Sequence, residues 1–98
     1  MQETQYSITL WANSTFGRAD TNLGTALRAE KELKELLFKL HDNDKHPEAL
    51  EEVADIIIVL QRLATDLGGD LNLAINTKMQ KNRAREWILD GKGHGQHK

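Results

Sequence analysis

No cysteine occurs anywhere in the chain, which excludes disulfides and thiolate metal ligands and is compatible with a reducing compartment. Aromatic side chains are scarce, two Trp, two Phe and one Tyr in 98 residues, so any core must be aliphatic. No long hydrophobic run is present. The longest, Ile56-Ile57-Ile58-Val59-Leu60, falls far short of the roughly 20 apolar residues that a membrane span needs. The amino terminus lacks the basic-then-apolar layout of a secretion signal. Neither sign of charge dominates: 13 Lys and Arg stand against 15 Asp and Glu, a formal net charge of -2, so there is no broad basic field for nucleic acid. These absences leave a small cytoplasmic protein with neither a nucleic-acid nor a membrane partner. At this length a lone core is thin, and self-association is expected to supply the missing burial.

What the chain does have is a pair of echoing acidic segments, Glu32-Leu33-Lys34-Glu35 and Glu52-Val53-Ala54-Asp55, twenty residues apart. On a helix, residues three apart share a face, so each pair is a two-carboxylate claw beside an aliphatic stripe. The segment Asp42 to His46 between them reads as a hairpin turn. Glu32 and Asp55 lie at similar distances from that turn, as do Glu35 and Glu52, so antiparallel packing predicts all four carboxylates at one level. Oxygen ligands gathered in this way suit hard divalent cations.

Taken in order, Ser7 to Asn13 predicts a short helix or ordered turn, with Gly17 as its stop. Trp11 and Phe16 either cap the core or form a stacking wall for a base, with Asn13 or Thr15 supplying hydrogen bonds. A helix is predicted from Asp20–Asn22 to about His41, with Leu33, Leu36, Leu37 and Leu40 on its apolar face and Arg28, Glu32, Glu35 and Lys39 on one strip at its edge. A second helix is predicted from Pro47 to about Leu67. Its apolar face is too broad for one hairpin partner, so a neighbouring subunit is expected to cover part of it. A third helix, capped by Asp70, is predicted from Leu71 to about Trp87. There the inward stripe changes from Leu71, Ala74 and Ile75 to Lys78, Asn82 and Arg85. Cations on a core-facing sector require opposite charge, either a phosphate or the acidic cluster itself. Residues 90–98, rich in glycine and charge, are expected to form a flexible tail after a single domain spanning residues 1–89. The fold class is therefore all-α, a helical hairpin plus a third helix.

The order Glu32-x-x-Glu35, Glu52-x-x-Asp55, then Lys78-x-x-x-Asn82-x-x-Arg85, resembles the MazG-like nucleoside triphosphate pyrophosphohydrolases. The match covers about residues 11 to 87, and the Trp11 to Gly17 stretch is similar to a short branch found in phages and bacteria. Many members carry an extra glutamate before the first pair, where this chain has Lys31. The resemblance implies a multi-helix bundle assembled as a homodimer or a homotetramer, dependence on Mg2+ with Mn2+ able to substitute, and hydrolysis of a (d)NTP to (d)NMP and pyrophosphate. By the same resemblance Glu32, Glu35, Glu52 and Asp55 would hold the metal, Glu32 or Glu35 would accept a proton from water, and Lys78 and Arg85 would neutralise the leaving pyrophosphate. Asn82 would bond phosphate or sugar, Trp11, Asn13 and Phe16 would meet the base, and a purine such as that of dGTP is the expected substrate. The competing expectation is a non-catalytic helical oligomerisation module. A di-iron bundle is disfavoured because Glu35 and Asp55 stand where Glu-x-x-His pairs would need histidine.

Overall fold

A computed structural model describes residues 2–98. Four helices come first, α1 (Gln5–Phe16), α2 (Asn22–Asp42), α3 (Ala49–Asp66) and α4 (Leu71–Ala84), followed by two short strands, β1 (Trp87–Leu89) and β2 (Gly95–His97). Local chemistry sets most boundaries. The Thr4 side chain accepts from the Ser7 amide and the Ser7 hydroxyl accepts from the Thr4 amide, a capping box that starts α1, and Gly17 ends that helix at φ 80°. Thr21 caps α2 by accepting from the Gly24 amide, and Asp70 caps α4 by accepting from the Leu73 amide at 2.8 Å.

The helix expected to open at Pro47 begins instead at Ala49. Residues 46–48 are occupied by a turn in which the Glu48 amide donates to His46 Nδ1 and the Ala49 amide to the His46 carbonyl. The largest departure lies at the other end. The third predicted helix stops at Ala84 rather than near Trp87, because Arg85 turns extended and the Trp87 indole donates to the Asn82 carbonyl at 2.9 Å, satisfying one of the helix's last acceptors. Residues 90–98, expected to be a tail, return as β2, antiparallel to β1 in the register Trp87 to His97 and Leu89 to Gly95. A Cβ at Gly95 would sit 2.5 Å from the Ile88 carbonyl oxygen, so only glycine permits this close pairing.

α2 and α3 form the antiparallel hairpin, α1 packs on α3, and α4 touches α3 only slightly. The chain by itself buries little apolar surface. Ala12 and Ala29 are the only buried apolar residues among those described, while Leu37, Phe38 and Ile57 remain 58%, 78% and 44% exposed. Among the described residues, no helix is long and apolar enough to cross a membrane.

Candidate active site

Among the described residues, the buried polar side chains are Thr9, Thr25, Glu32 and Glu52. Two carboxylates are thus as enclosed as the alanines of the core, although ionised groups are costly to bury unless paired. The hairpin brings them together. Glu32 from α2 and Glu52 and Asp55 from α3 each place one carboxylate oxygen within 4.8 Å of the others. Two cations partly balance them. Arg28 Nη2 lies 3.0 Å from Glu32 Oε1, and Lys39 Nζ lies 2.5 Å from Glu52 Oε1. The hydrogen bond to Glu52 holds the Lys39 ammonium above its ordinary pKa; burial opposes this, and the charges of Glu52, Glu48 and Glu35 assist it. Balance is incomplete. Glu52 Oε2 is buried with no hydrogen-bond partner among the described residues, and Asp55 makes no ion pair there. A buried, unpartnered carboxylate oxygen within an all-oxygen donor set is a fit for a hard divalent cation.

Glu32 and Asp55 also line a cleft of about 670 Å³ between α1, α2 and α3. The same cleft is lined by Trp11 and Phe16, whose rings meet edge to face at a centroid distance of 5.4 Å, and by Thr21, Thr25 and Arg62. Both aromatic rings are more than half exposed, so they line the cleft rather than cap a core.

Three of the four expected acids therefore converge, and the fourth does not. Glu35 is exposed and borders Glu52 from the opposite side, in a separate depression shared with Lys31, Lys34, Phe38 and Lys39. The register explains this: one turn from Glu32 toward the hairpin bend, the α2 face has rotated off the line of closest approach to Asp55. Asn13 is not among the cleft-lining residues; its Oδ1 accepts from Arg62 Nη2 at 3.0 Å. Lys78, Asn82 and Arg85 on and beside α4 are also absent from the cleft. Lys78 lies in a shallow depression with Asp70, Thr77 and Lys81. Asn82 Oδ1 is buried without a partner, and Arg85 is half-buried at the helix cap.

The i,i+4 spacing on the acidic strip allows the Arg28–Glu32 pair, but it does not indicate that Lys39 pairs with Glu52 across the hairpin, and it gives no site role to Arg62, Thr21 or Thr25. Arg62 was within reach: it follows Asp55 by seven residues, two helical turns along the same face of α3.

No protein-family profile matches the sequence. The chain is 38% identical over 74 residues to a dATP/dGTP diphosphohydrolase of cyanophage S-2L, a match spanning 76% of this chain and 66% of the phage enzyme. The fold superimposes with a TM-score of 0.75 on the solved structure of the cyanophage S-2L MazG-like pyrophosphohydrolase bound to dGDP and three catalytic Mn2+ ions per active site, at 33% identity and covering 96% of this chain and 92% of that one. With near-complete coverage and an acidic cluster on the matching helical hairpin, the chain belongs to the MazG-like pyrophosphohydrolases, in their phage branch.

Proposed function

We propose that the chain hydrolyses a deoxynucleoside triphosphate to the monophosphate and pyrophosphate in the cleft between α1, α2 and α3. The observation that carries this reading is the convergence of Glu32, Glu52 and Asp55, with Glu52 Oε2 unpartnered, two of these acids lining one cleft together with Trp11 and Phe16. Acids and aromatics are the two chemistries that a nucleotide requires at its phosphate and base ends. A purine deoxynucleotide is the preferred substrate, since one relative is a dATP/dGTP diphosphohydrolase and the other was solved with dGDP.

Glu32, Glu52 and Asp55 would hold divalent ions, Mg2+ or Mn2+, and Glu35 stands beside Glu52 as a further ligand for a site of several ions. Such ions supply charge neutralisation at the phosphate oxygens and acidify a coordinated water. The remaining work belongs to side chains. A carboxylate of the Glu32-Glu35 pair takes the water's proton, and Trp11 and Phe16 stack the base. Lys78 and Arg85 bind the departing pyrophosphate, and Asn82 bonds the phosphate or the sugar.

Because α4 is not packed against the acidic cleft of its own subunit, these last three residues reach a site in an assembled homodimer or homotetramer. The exposed aliphatic side chains of α2 and α3 favour the same assembly. The test is a panel of deoxynucleoside and nucleoside triphosphates with Mg2+ and then Mn2+, read as pyrophosphate and monophosphate released. Turnover strongest with dGTP or dATP is expected. No release from any nucleotide with either metal would return the chain to a non-catalytic oligomerisation module.

A further inference from the structure

The aromatic wall of the cleft stands on weak foundations of its own. Trp11 and Phe16 are 55% and 68% exposed, and they belong to a short helix whose packing is chiefly on α3. Among the described residues, one side chain of α3 hydrogen-bonds this end of α1. Arg62 Nη2 donates to Asn13 Oδ1 at 3.0 Å and also to the Gly17 carbonyl, so the guanidinium grips the helix two residues after Trp11 and again immediately after Phe16. Arg62 is also part of the cleft lining, and its Nε is buried with no acceptor among the described residues. Ile58 and Val59, one turn earlier on α3, line the same stretch. An apolar side chain would pack there without desolvating a charge, so what the arginine adds is its donors, both bonds to α1 being made by the one nitrogen Nη2. Its position suits that role, because Asp55 and Arg62 lie on one face of α3, roughly 10 Å apart along the axis at 1.5 Å per residue. One end of that face meets the acids and the other meets the aromatics.

We infer that Arg62 is the positioning residue of the base subsite, holding the last turn of α1 so that Trp11 and Phe16 present a fixed wall to a purine. This rests on the cleft being a nucleotide site, and it assigns selectivity for the base to a residue that touches neither the acids nor the phosphates.

Arg62→Met and Arg62→Lys are compared with the parent on dGTP and dCTP, by product inhibition with dGMP and with pyrophosphate, and by calorimetric titration with dGMP in the absence of metal. For the Met variant, KM for dGTP and the dGMP dissociation constant rise about tenfold, equivalent to about 1.4 kcal/mol. Its kcat and its inhibition by pyrophosphate stay near the parent's, and the preference for dGTP over dCTP shrinks. The Lys variant keeps the charge and a nitrogen with several donors but not the planar guanidinium that aims them, and recovers part of the dGMP affinity. Equal losses for dGMP and pyrophosphate would assign Arg62 a general structural role and overturn the inference, as would dGMP affinity and base preference at parental values. If circular dichroism shows the Met variant unfolded, the Lys variant decides by the same contrast between dGMP and pyrophosphate. A parent that binds dGMP more tightly than the Met variant but turns over no nucleotide would refute the hydrolase and leave this subsite standing. A parent that binds no dGMP would overturn the subsite itself.

Discussion

The α1–α3 bundle and the C-terminal arm of α4 and its hairpin are built on opposite terms. The bundle encloses two glutamates as tightly as its alanines, whereas α4 buries none of its residues. Charge divides along the same line. Residues 71–98 carry Lys78, Lys81, Arg83, Arg85, Lys92 and Lys98 against only Glu86 and Asp90, so the rest of the chain is strongly acidic. A basic arm that packs on almost nothing, attached to an acidic bundle with exposed aliphatic faces, is what the proposed assembly with a second copy would complete. On the proposed reading, the contrast makes the acidic chemistry local to one chain and the cationic chemistry dependent on assembly.

The sharpest way to break this contrast is to remove its acidic side. Glu52→Gln takes away the buried oxygen that lacks a partner, and turnover is expected to fall by well over about a hundredfold, since even the groups that merely orient metal ligands are worth 10–100-fold. The variant should remain folded by circular dichroism, because the amide keeps an acceptor for Lys39. Retained turnover would mean that the cluster is structural. Metal addition probes the same three acids without chemistry. Mn2+ at about a hundred times its dissociation constant should stabilise the parent by about 2.7 kcal/mol, or about 10 °C or more in Tm for a domain of this size. Asp55→Asn should abolish most of that shift while raising the Tm of the metal-free protein, because one of three crowded like charges is gone.

The arm is tested by mixing. A Glu52→Gln chain lacks the acids, and a Lys78→Ala/Arg85→Ala chain lacks the cations. If the arm serves a neighbour's cleft, unfolding and refolding equal amounts together should restore about a quarter of parental activity, the share of intact sites in a randomly assorted two-fold dimer. No recovery, with each variant still forming oligomers by light scattering, would place the cations in the cleft of their own chain. Glu35→Gln sharpens the acidic side more finely. Glu35 borders Glu52 from outside the triad, so its loss should reduce the number of Mn2+ ions bound per subunit while leaving the tightest one.

Much of the hairpin was legible in the sequence because period and capping are local properties. The spacing of Leu33, Leu36, Leu37 and Leu40 marks α2, and Asp70 caps α4 where its position after two glycines predicts. The convergence of Glu32, Glu52 and Asp55 follows from simple symmetry about the turn. That same symmetry overreached at Glu35, because two helices in contact share one line of approach, and a residue one turn along has rotated away from it. Arg62 and the hairpin of residues 87–97 were missed for a different reason. Helical spacing puts Arg62 on the face of Asp55, but its hydrogen bonds to residues more than 40 positions away are encoded by no periodicity. The strands depend on Gly95 admitting the Ile88 carbonyl, and glycines at alternate positions read the same in sequence whether the segment pairs or wanders.

The smallest effect is expected from deleting residues 90–98, which removes β2 and leaves Trp87 with only its bond to the Asn82 carbonyl. An isolated two-stranded hairpin is marginal in water, and every residue of both strands is exposed. The loss should therefore be no more than about 1 kcal/mol, a Tm change of about 4–8 °C or less for a domain of this size. The acids and the aromatic wall lie in the bundle, so Mn2+ binding and dGMP affinity should stay at parental values. Turnover is the discriminating readout. If it too is unchanged, α4 alone carries the arm's contribution. A large fall in turnover with Mn2+ and dGMP binding intact would mean that the hairpin sets where Lys78 and Arg85 come to rest, extending the assembly-dependent half of the site to the end of the described chain.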